Sequence, residues 1–354
     1  MAEIHLQQLA HSYAPDAADP AYALKPIDMV WQDGQTYALL GPSGCGKSTM
    51  LNIISGLLKP SHGRVLFDGR DVTALDTGRR NIAQVFQVPV IYTSMTVAEN
   101  LAFPLLCRKM PQAQIKKRVE DIAERLGLAA QLRRRANALT ADQKQLVSLG
   151  RGLVREDVSA ILLDEPLTVI DPQMKFELRR ILKQINEEFR LTMVLVTHDQ
   201  DEAMTFARTI VVMNHGEVVQ SGGPNELFEA PATRHVGYFI GAPAMNFLPA
   251  TREGNKIRVP GLDLSCRAPR ELAEGPLEIG FRPEKVELTG PGQSIRGVVS
   301  RIWFEGLEEI VEVTRGGQTI RARLPAGSCR HGSEICLTIP EAGLRLYQNG
   351  RIVT

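Results

Sequence analysis

The chain has 354 residues, of which 44% are hydrophobic and 23% charged, an ordinary globular composition that suffices for about two domains. Lys and Arg (41) nearly balance Asp and Glu (40), so the composition disfavours a broad nucleic-acid surface and predicts no nucleic-acid partner. Five scattered cysteines without CxxC spacing predict free thiols in a reducing compartment. No apolar run approaches the roughly 20 residues that span a bilayer, and we expect no secretory signal.

Residues 1–240 alternate short apolar runs with helical patterns, which predicts an α/β domain with a largely parallel sheet covered by helices. The candidate strands are "TYALL" (36–40), "IAQVF" (82–86), "AILLD" (160–164), "TMVLVT" (192–197) and "TIVVM" (209–213).

The segment "GPSGCGKST" follows the first of these strands and matches the phosphate-loop pattern GxxxxGK[ST]. Glycines let backbone N–H groups surround phosphates, while a lysine reaches the β and γ oxygens and a serine hydroxyl ligates Mg²⁺. A chance glycine-rich turn is the alternative, but the preceding strand and the helix-like segment that follows favour a nucleotide site. The predicted nucleotide-binding residues are Gly41, Pro42, Ser43, Gly44, Cys45, Gly46, Lys47, Ser48 and Thr49.

Residues 88–158 contain no clear strand, which predicts a helical insertion in the sheet domain. Within it, "QAQIKKRVEDIAERLGL" places Ile115, Val119, Ile122 and Leu126 on one face of a helix that Gly127 ends.

The segment "ILLDEP" (161–166) is an apolar strand that ends in two carboxylates. Asp164 suits a role at Mg²⁺, and Glu165 is placed to polarise a water. An ordinary pair of surface acids is the alternative, which a phosphate loop upstream makes the weaker interpretation.

After residue 240, short runs with partial period-two alternation predict a small all-β barrel or sandwich over 241–354. The runs are "IRGVVSRIWF", "EEIVEVT", "QTIRARLP" and "EICLTIP", and "FIGAPAMNFLPA" is interpreted as the preceding linker.

Together these segments resemble the ATP-binding cassette (ABC) ATPases, and most closely the importer subunits of the maltose-transporter type. The resemblance implies a P-loop NTPase (RecA-like) core with a helical subdomain, followed by an OB-like accessory domain. That domain is suggested by "GFRPEKVEL" (280–288) and "LYQNGRI" (346–352). The resemblance also implies that the protein is an ATPase that uses ATP and Mg²⁺.

By the same resemblance, "VFQ" supplies Gln87 as the glutamine-loop residue that touches Mg²⁺, and Asp164 is the metal-associated aspartate. Glu165 is the general base, and "VTHDQDEAM" supplies His198 as the histidine that contacts the γ-phosphate. Tyr13 is the aromatic residue that stacks on adenine, with Tyr22 as a competitor because the loop between them is long. A purely structural His198 and a purely packing C-terminal domain are the alternatives.

The family's signature helix normally begins Leu-Ser-Gly-Gly-Gln and caps the γ-phosphate bound by the other ATPase subunit. Here the five residues are Leu139, Thr140, Ala141, Asp142 and Gln143, so both glycines are replaced. Thr140 and Gln143 still form an acceptable capping box, and Asp142 suits a helix start. A carboxylate about 5 Å from one phosphate charge is nevertheless disfavoured by roughly 3 kcal/mol at an effective dielectric of about 20.

The altered signature predicts that this chain serves a weakened site on its partner, while its own cradle, Glu165 and His198 are intact. The expected arrangement is a heterodimer with a paralogous ABC ATPase, because a homodimer carries the defect twice. Asp171 of "VID" corresponds to the aspartate loop that bridges the two subunits, although Thr168 and Val169 are atypical there.

The resemblance further implies two integral membrane permease subunits, an extracytoplasmic solute-binding protein acting indirectly, and a peripheral location on the cytoplasmic face of the inner membrane. Segment 88–103 is expected to receive the permeases' coupling helix. The implied cargo is a carbohydrate, polyol or related solute, and two divergent ATPases in one importer also suggest glycerol.

Three other functions stay open on the sequence. The chain is a mainly regulatory ATP-binding subunit if hydrolysis occurs at the partner's site. A soluble cassette ATPase acting on ribosomes or DNA usually has two cassettes or a long coiled coil, and this chain has one cassette without sustained heptads. A small-molecule kinase shares the phosphate loop but does not explain "VFQ", "DEP" and "THD" in this order.

Overall fold

The computed structural model describes residues 2–14, 21–269, 271–288 and 295–353, which form two compact units, residues 1–224 and 225–354. The strands of the first unit are β1 (Ile4–Ser12), β2 (Tyr22–Trp31), β3 (Thr36–Leu40), β4 (His62–Phe67), β5 (Arg70–Asp71), β6 (Ile82–Val85), β7 (Ala160–Asp164), β8 (Met193–Thr197), β9 (Thr209–Asn214) and β10 (Glu217–Gly222). Its helices are α1 (Lys47–Ser55), α2 (Thr77–Arg80), α3 (Val97–Cys107), α4 (Gln112–Arg125), α5 (Ala141–Leu153), α6 (Pro172–Phe189) and α7 (Gln200–Phe206).

The central sheet of the first unit has the strand order β10-β9-β3-β8-β7-β6, and every pairing except β10 with β9 is parallel. Strands β3 and β8 are buried along their whole length, as expected for a parallel sheet covered on both faces. The α/β fold and the five predicted strands are therefore confirmed, with ends that shift by at most one residue.

A second, antiparallel sheet in this unit has the order β2-β1-β4-β5, and none of its strands was predicted. The reason lies in β1, where Ile4 and Leu6 are buried in alternation but the register shifts before Leu9. Gln8, at φ 45°, forms the irregularity, so the hydrophobic pattern loses its period of two. The two sheets share a core in which the rings of Trp31 and Tyr37 stack with centroids 5.2 Å apart.

The expected helical insertion is observed, since α3, α4 and α5 all lie between β6 and β7. Ile115, Val119 and Ile122 form the buried face of α4, and Leu126 at its C-terminal end is also buried. Among the described residues, no helix is both long enough and apolar enough to cross a membrane.

The second unit is mostly antiparallel β-structure in two sheets, with orders β13-β12-β11-β14-β20-β21 and β15-β19-β16-β17-β18. Two short helices, α8 (Pro224–Glu229) and α9 (Arg234–Phe239), lie at its start. Its strands are β11 (Asn246–Glu253), β12 (Lys256–Arg258), β13 (Ser265–Arg267), β14 (Leu277–Phe281), β15 (Glu287–Leu288), β16 (Ile295–Phe304), β17 (Glu308–Arg315), β18 (Gln318–Pro325), β19 (Glu334–Thr338), β20 (Arg345–Gln348) and β21 (Arg351–Ile352).

The division between the units comes earlier in the chain than the predicted boundary at residue 240. The hydroxyl of Tyr347 on β20 donates to the carbonyl of Pro231 at 2.9 Å, and Arg282 donates to the carbonyls of Phe228 and Gly237. These bonds attach α8 and α9 to the β-unit. The interpretation of residues 239–250 as a linker was wrong at both ends, because Phe239 ends α9 and Asn246 begins β11.

Candidate nucleotide-binding and catalytic site

The predicted site residues gather at one edge of the central sheet. Strands β6, β7, β8 and β3 are neighbours and run parallel, so their carboxyl ends meet at that edge, where ligands bind in open α/β sheets. The phosphate loop follows β3, Gln87 follows β6, Glu165 follows β7 and His198 follows β8.

Close backbone packing requires glycine at two positions of the phosphate loop. A Cβ atom on Gly41 would lie 2.3 Å from the carbonyl oxygen of Met213, and one on Gly46 would lie 2.5 Å from that of Ala23. Gly46 also has φ 101°, in the left-handed region, where it precedes the first residue of α1. As the N-cap of α1, Gly46 joins the loop to the N-terminal end of that helix, where N–H groups without intrahelical partners favour anions.

The loop lines a cleft of about 380 Å³ together with Tyr13, Ala23 and Glu165. Lys47 is 5% exposed, and its ammonium group donates to the carbonyl oxygens of Gly41 at 2.8 Å and Pro42 at 2.9 Å. Cys45 is buried in the hydrophobic core, so the side chain at this position of the loop packs inside the protein.

Ser48 and Asp164 meet beside this cleft, where the Ser48 hydroxyl donates to Asp164 Oδ1 at 3.3 Å. Burial raises the pKa of Asp164 above its ordinary value of 3.8, and the neighbouring charge of Glu165 raises it further. The hydrogen bond from Ser48 and the charge of Lys47 act in the opposite direction. The Ser48 hydroxyl and the Asp164 carboxylate thus offer two oxygen atoms to a cation. The negative charge of Asp164 is disfavoured by burial, so a hard divalent cation beside it fits this pair.

Glu165 is the residue on which the catalytic candidates converge. Gln87 Nε2 donates to Glu165 Oε2 at 3.2 Å, and His198 Nδ1 lies 3.4 Å from the same oxygen. Glu165 has φ 44°, a strained backbone conformation for a residue other than glycine. The structure thus brings a carboxylate, an amide and an imidazole together at the mouth of the phosphate cradle.

Tyr13 lies at the same cleft, with its hydroxyl 3.1 Å from Thr49 Oγ1. Its ring, 69% exposed, meets the ring of His11 edge-on with centroids 4.7 Å apart. Tyr22 instead lies against His62, at 6.3 Å between ring centroids. Of the two candidate aromatics, Tyr13 is the one that lines the cleft.

The altered signature residues form the start of α5, with Thr140 as N-cap and its N–H donating to Gln143 Oε1 at 3.2 Å. The hydroxyl of Thr140 donates to the carboxylate of Asp142. Thr140 and Ala141 are exposed, and Asp142 and Gln143 are half-buried. The Gln143 half of the capping box is therefore present, while the Thr140 hydroxyl is bound to an acid of the same turn.

Asp171 is the N-cap of α6, where its Oδ1 accepts from the Met174 N–H at 3.0 Å. Beside the preceding turn, Val169 is 46% exposed and Ile170 is buried. Asp171 therefore caps the start of α6 through Oδ1, and its Oδ2 takes no part in that cap.

Sequence reasoning missed two parts of the site. Ala23 lines the cleft from β2, a strand that was not predicted; the available sequence signal was the apolar residues Leu24 and Ile27, which the structure shows to be buried. Thr197 and Glu202 lie on either side of His198 in the chain and bond to each other at 2.7 Å. A polar residue ending a buried strand was the signal for Thr197, whereas nothing in the spacing marked Glu202.

With this geometry established, a family model described as ABC transporter matches residues 24–168. An sn-glycerol-3-phosphate import ATP-binding protein, UgpC, of Cereibacter sphaeroides is 41% identical over 291 residues, covering 82% of this chain and 81% of that protein. UgpC of Yersinia enterocolitica is 36% identical over 359 residues, covering 99% and 98%. An uncharacterized ABC transporter ATP-binding protein, YcjV, of Escherichia coli is 36% identical, covering 94% of each chain.

Two solved structures match the same cassette. The cbiO1 protein of Clostridium perfringens, part of the ABC transporter complex cbiONQ, has a TM-score of 0.58 at 32% identity and covers 64% of this chain and 90% of that one. The ATP-binding cassette MJ0796, in a dimeric post-hydrolysis state with ADP and Pi, has a TM-score of 0.56 at 31% identity, with 62% and 98% covered.

The fold and site therefore define a P-loop ATPase of the ATP-binding cassette class. The chain belongs to the ABC transporter ATP-binding proteins, as an importer ATPase that binds and hydrolyses ATP. The predicted family, fold class and enzymatic activity are confirmed.

Proposed function

We propose that this chain energises the import of a carbohydrate, polyol or related phosphorylated solute from the cytoplasmic face of the inner membrane. Its partners in this proposal are two integral membrane permease subunits and, indirectly, an extracytoplasmic solute-binding protein. The observation that carries the ATP-hydrolysing part of the proposal is the convergence of Gln87 and His198 on one oxygen of Glu165, beside the phosphate cradle.

In this mechanism the backbone N–H groups of residues 41–49 and the ammonium group of Lys47 hold the phosphates of ATP. To do so, Lys47 exchanges its bonds to the Gly41 and Pro42 carbonyls for phosphate oxygens. Glu165 orients and deprotonates the attacking water, and His198 contacts the γ-phosphate. The ring of Tyr13 stacks on adenine.

The residues that would hold Mg²⁺ are Ser48 and Asp164, whose oxygens lie 3.3 Å apart, with Gln87 as a third contact. When bound, the cation would supply charge neutralisation at the phosphates. In the structure Gln87 Nε2 donates to Glu165 Oε2, and this bond orients the carboxylate that is proposed to take the proton from water.

The test of the catalytic assignment is Glu165→Gln in the assembled transporter, measured as ATP hydrolysis with solute and binding protein present. We expect hydrolysis to fall by at least about a hundredfold because the base is removed, while ATP binding persists. The matched control is Glu187→Gln on α6, an exposed acid outside the site. Hydrolysis near the wild-type rate in Glu165→Gln would exclude Glu165 as the base.

The contact with the permeases is proposed for segment 88–103, which presents Val88, Val90 and Tyr92 to solvent. Arg151 of α5 lies over the ring of Tyr92 at 4.8 Å and donates to the carbonyl of Val90. These contacts join the segment to the helix that begins with the signature residues. An apolar patch held in this way suits a short helix inserted from the membrane subunits.

The proposed dimer is an asymmetric one with a paralogous ABC ATPase. Support comes from α5, where Asp142 adds a negative charge and binds the Thr140 hydroxyl that would otherwise face the partner's γ-phosphate. Asp171 would contact the partner across the interface. One composite site then has an ordinary signature from the partner, and the other has this altered signature and hydrolyses ATP slowly.

This arrangement is tested by comparing Lys47→Ala here with the equivalent change in the partner ATPase, after co-purification in mild detergent. We expect Lys47→Ala to abolish most hydrolysis, because this cradle is completed by the partner's ordinary signature. A larger loss from the partner's variant would instead support the regulatory role of this chain. A purified complex containing two copies of this chain that hydrolyses ATP rapidly would exclude the heterodimer.

The cargo class is proposed from the relatives named for sn-glycerol-3-phosphate import and from the maltose-type resemblance. ATP hydrolysis by the purified assembly, with its binding protein and either glycerol, sn-glycerol-3-phosphate or maltose, distinguishes these solutes. Stimulation by none of them would remove the proposed class.

A further inference from the structure

A buried carboxylate that takes no part in the proposed chemistry lies beneath the turn that carries His198. Glu202, on the first turns of α7, is 3% exposed. Its Oε2 accepts from the hydroxyl of Thr197 at 2.7 Å, and its Oε1 accepts from the ammonium group of Lys175 at 3.0 Å. A charge this deeply buried is costly unless it is paired and hydrogen-bonded, and here both oxygens have partners.

The first of these bonds holds the two residues on either side of His198. Thr197 ends β8 and directly precedes His198, and its oxygen also accepts from the N–H of Asp199 at 3.0 Å. Asp199 is the N-cap of α7, where its carboxylate accepts from the N–H of Asp201 at 2.8 Å. The N–H of Glu202 donates to the same Asp199 oxygen at 3.3 Å, so hydrogen bonds link Thr197, Asp199 and Glu202 around the backbone on both sides of His198.

The second bond connects this turn to α6. Lys175 is one turn into the helix that Asp171 caps, and its N–H donates to the carbonyl oxygen of Asp171 at 2.9 Å. The Lys175–Glu202 ion pair has side-chain exposures of 22% and 4%, so solvent screens it less than a surface pair. Glu202 therefore connects the turn that carries His198 to α6. That turn is proposed to approach the γ-phosphate, and α6 is proposed to start at the dimer interface.

We propose that Glu202 is a positioning residue, which fixes His198 against Glu165 through Thr197 and ties that geometry to Asp171 through Lys175. The inference rests on the proposed role of His198 at the γ-phosphate. His198 itself is about half exposed, and its Nδ1 lies 3.4 Å from Glu165 Oε2. The backbone turn that carries His198 sets the point from which the imidazole reaches Glu165.

The experiment uses Thr197→Val, which removes the hydroxyl at nearly constant shape, in the assembled transporter. We expect kcat for ATP hydrolysis to fall about tenfold while KM for ATP stays unchanged, because the phosphate cradle is untouched. Thr197→Ser restores the hydroxyl and is expected to keep most of the rate. Thr205→Val, an exposed threonine on α7, is the matched control.

A second variant, Glu202→Gln, keeps the size of the side chain but faces Lys175 or Thr197 with an amide donor. It is expected to show the same loss in kcat. Combined with His198→Ala, neither Thr197→Val nor Glu202→Gln lowers kcat further, because each acts through the imidazole.

The outcomes separate this inference from the function on which it rests. If His198→Ala leaves hydrolysis unchanged, the proposed role of His198 fails. If His198→Ala lowers kcat but Thr197→Val and Glu202→Gln do not, only the positioning role is excluded. If these variants lower kcat by the same factor with and without His198→Ala, the positioning role is excluded. If they raise KM and lower the melting temperature, Glu202 contributes to general stability and the positioning role is also excluded.

Discussion

The hydroxyl of Thr140 donates to the carboxylate of Asp142 within the first turn of α5. The hydroxyl proposed to face a partner's phosphate is thereby already bound to an acid of its own turn. The N–H of Thr140 donates to Gln143 of the same turn. What stabilises the start of this helix opposes the binding of an anion in front of it, because the acid occupies the favourable end of the helix dipole.

The aromatic residue of the cleft provides a first prediction. Tyr13→Ala should weaken MgATP binding about tenfold, because base stacking on an aromatic ring contributes roughly 1–3 kcal/mol. Tyr13→Phe keeps the ring and loses the contact with Thr49, so we expect it to retain most of the affinity. Calorimetric titration with MgATP measures both.

Tyr22→Ala is the matched control for that experiment, because Tyr22 is partly exposed but lies against His62 and does not line the cleft. If Tyr22→Ala weakens MgATP binding and Tyr13→Ala leaves it unchanged, the adenine ring stacks on Tyr22 instead.

Asp164 leads to a prediction about stability. Since its pKa is raised by burial, the folded nucleotide-free protein disfavours the charged form, and stability relative to a neutral side chain is lost as pH rises through that raised pKa. Asp164→Asn should therefore melt above the wild type at neutral pH in EDTA. The difference should shrink as pH falls toward 3.8, the ordinary carboxyl value.

The same substitution should remove the stabilisation that we expect Mg²⁺ with ATP to confer on the wild type, because a proposed metal ligand is lost. Thermal unfolding with ATP, with and without Mg²⁺, measures this. A variant that melts below the wild type in EDTA at neutral pH would contradict the account of the buried charge.

Glu165 yields a third prediction, which separates backbone strain from chemistry. At φ 44° a side chain is disfavoured, so Glu165→Gly should be at least as stable as Glu165→Gln in urea unfolding, although both lack the carboxylate proposed as the base. Glu165→Val should be less stable than either, because a β-branched side chain tolerates this conformation poorly. Equal stabilities for all three would show that the conformation carries no strain.

Much of the parallel sheet could be predicted from the sequence, because β3 and β8 are short apolar runs followed at once by residues with chemistry. Parallel strands bring their carboxyl ends together, so residues as distant as Gly41 and His198 share one edge. The antiparallel sheet could not be predicted in this way, because the irregularity at Gln8 breaks the alternation of β1.

Within the site, residue types indicated the groups but not their partners. The sequence favoured Glu165 as a base, yet it contained no sign that Gln87 and His198 meet at the same oxygen, or that φ is positive there. The buried bond between Thr197 and Glu202 was equally hidden, because such contacts depend on side-chain directions that only the folded backbone determines.

The most direct measurement of the altered signature restores both glycines, Ala141→Gly with Asp142→Gly, and follows ATP hydrolysis by the assembled transporter. Two controls separate the causes: Asp142→Asn removes the charge but keeps the side chain, and Glu226→Gln changes an acid in the first turn of α8, away from the signature. Glycine is also expected to cost α5 roughly 0.5–1 kcal/mol per position, so hydrolysis is measured well below the melting temperature. We predict that the double variant hydrolyses ATP at least about threefold faster and that Asp142→Asn accounts for part of the gain. A rate that is unchanged or lower in a folded double variant would contradict the claim that this turn weakens the site it closes.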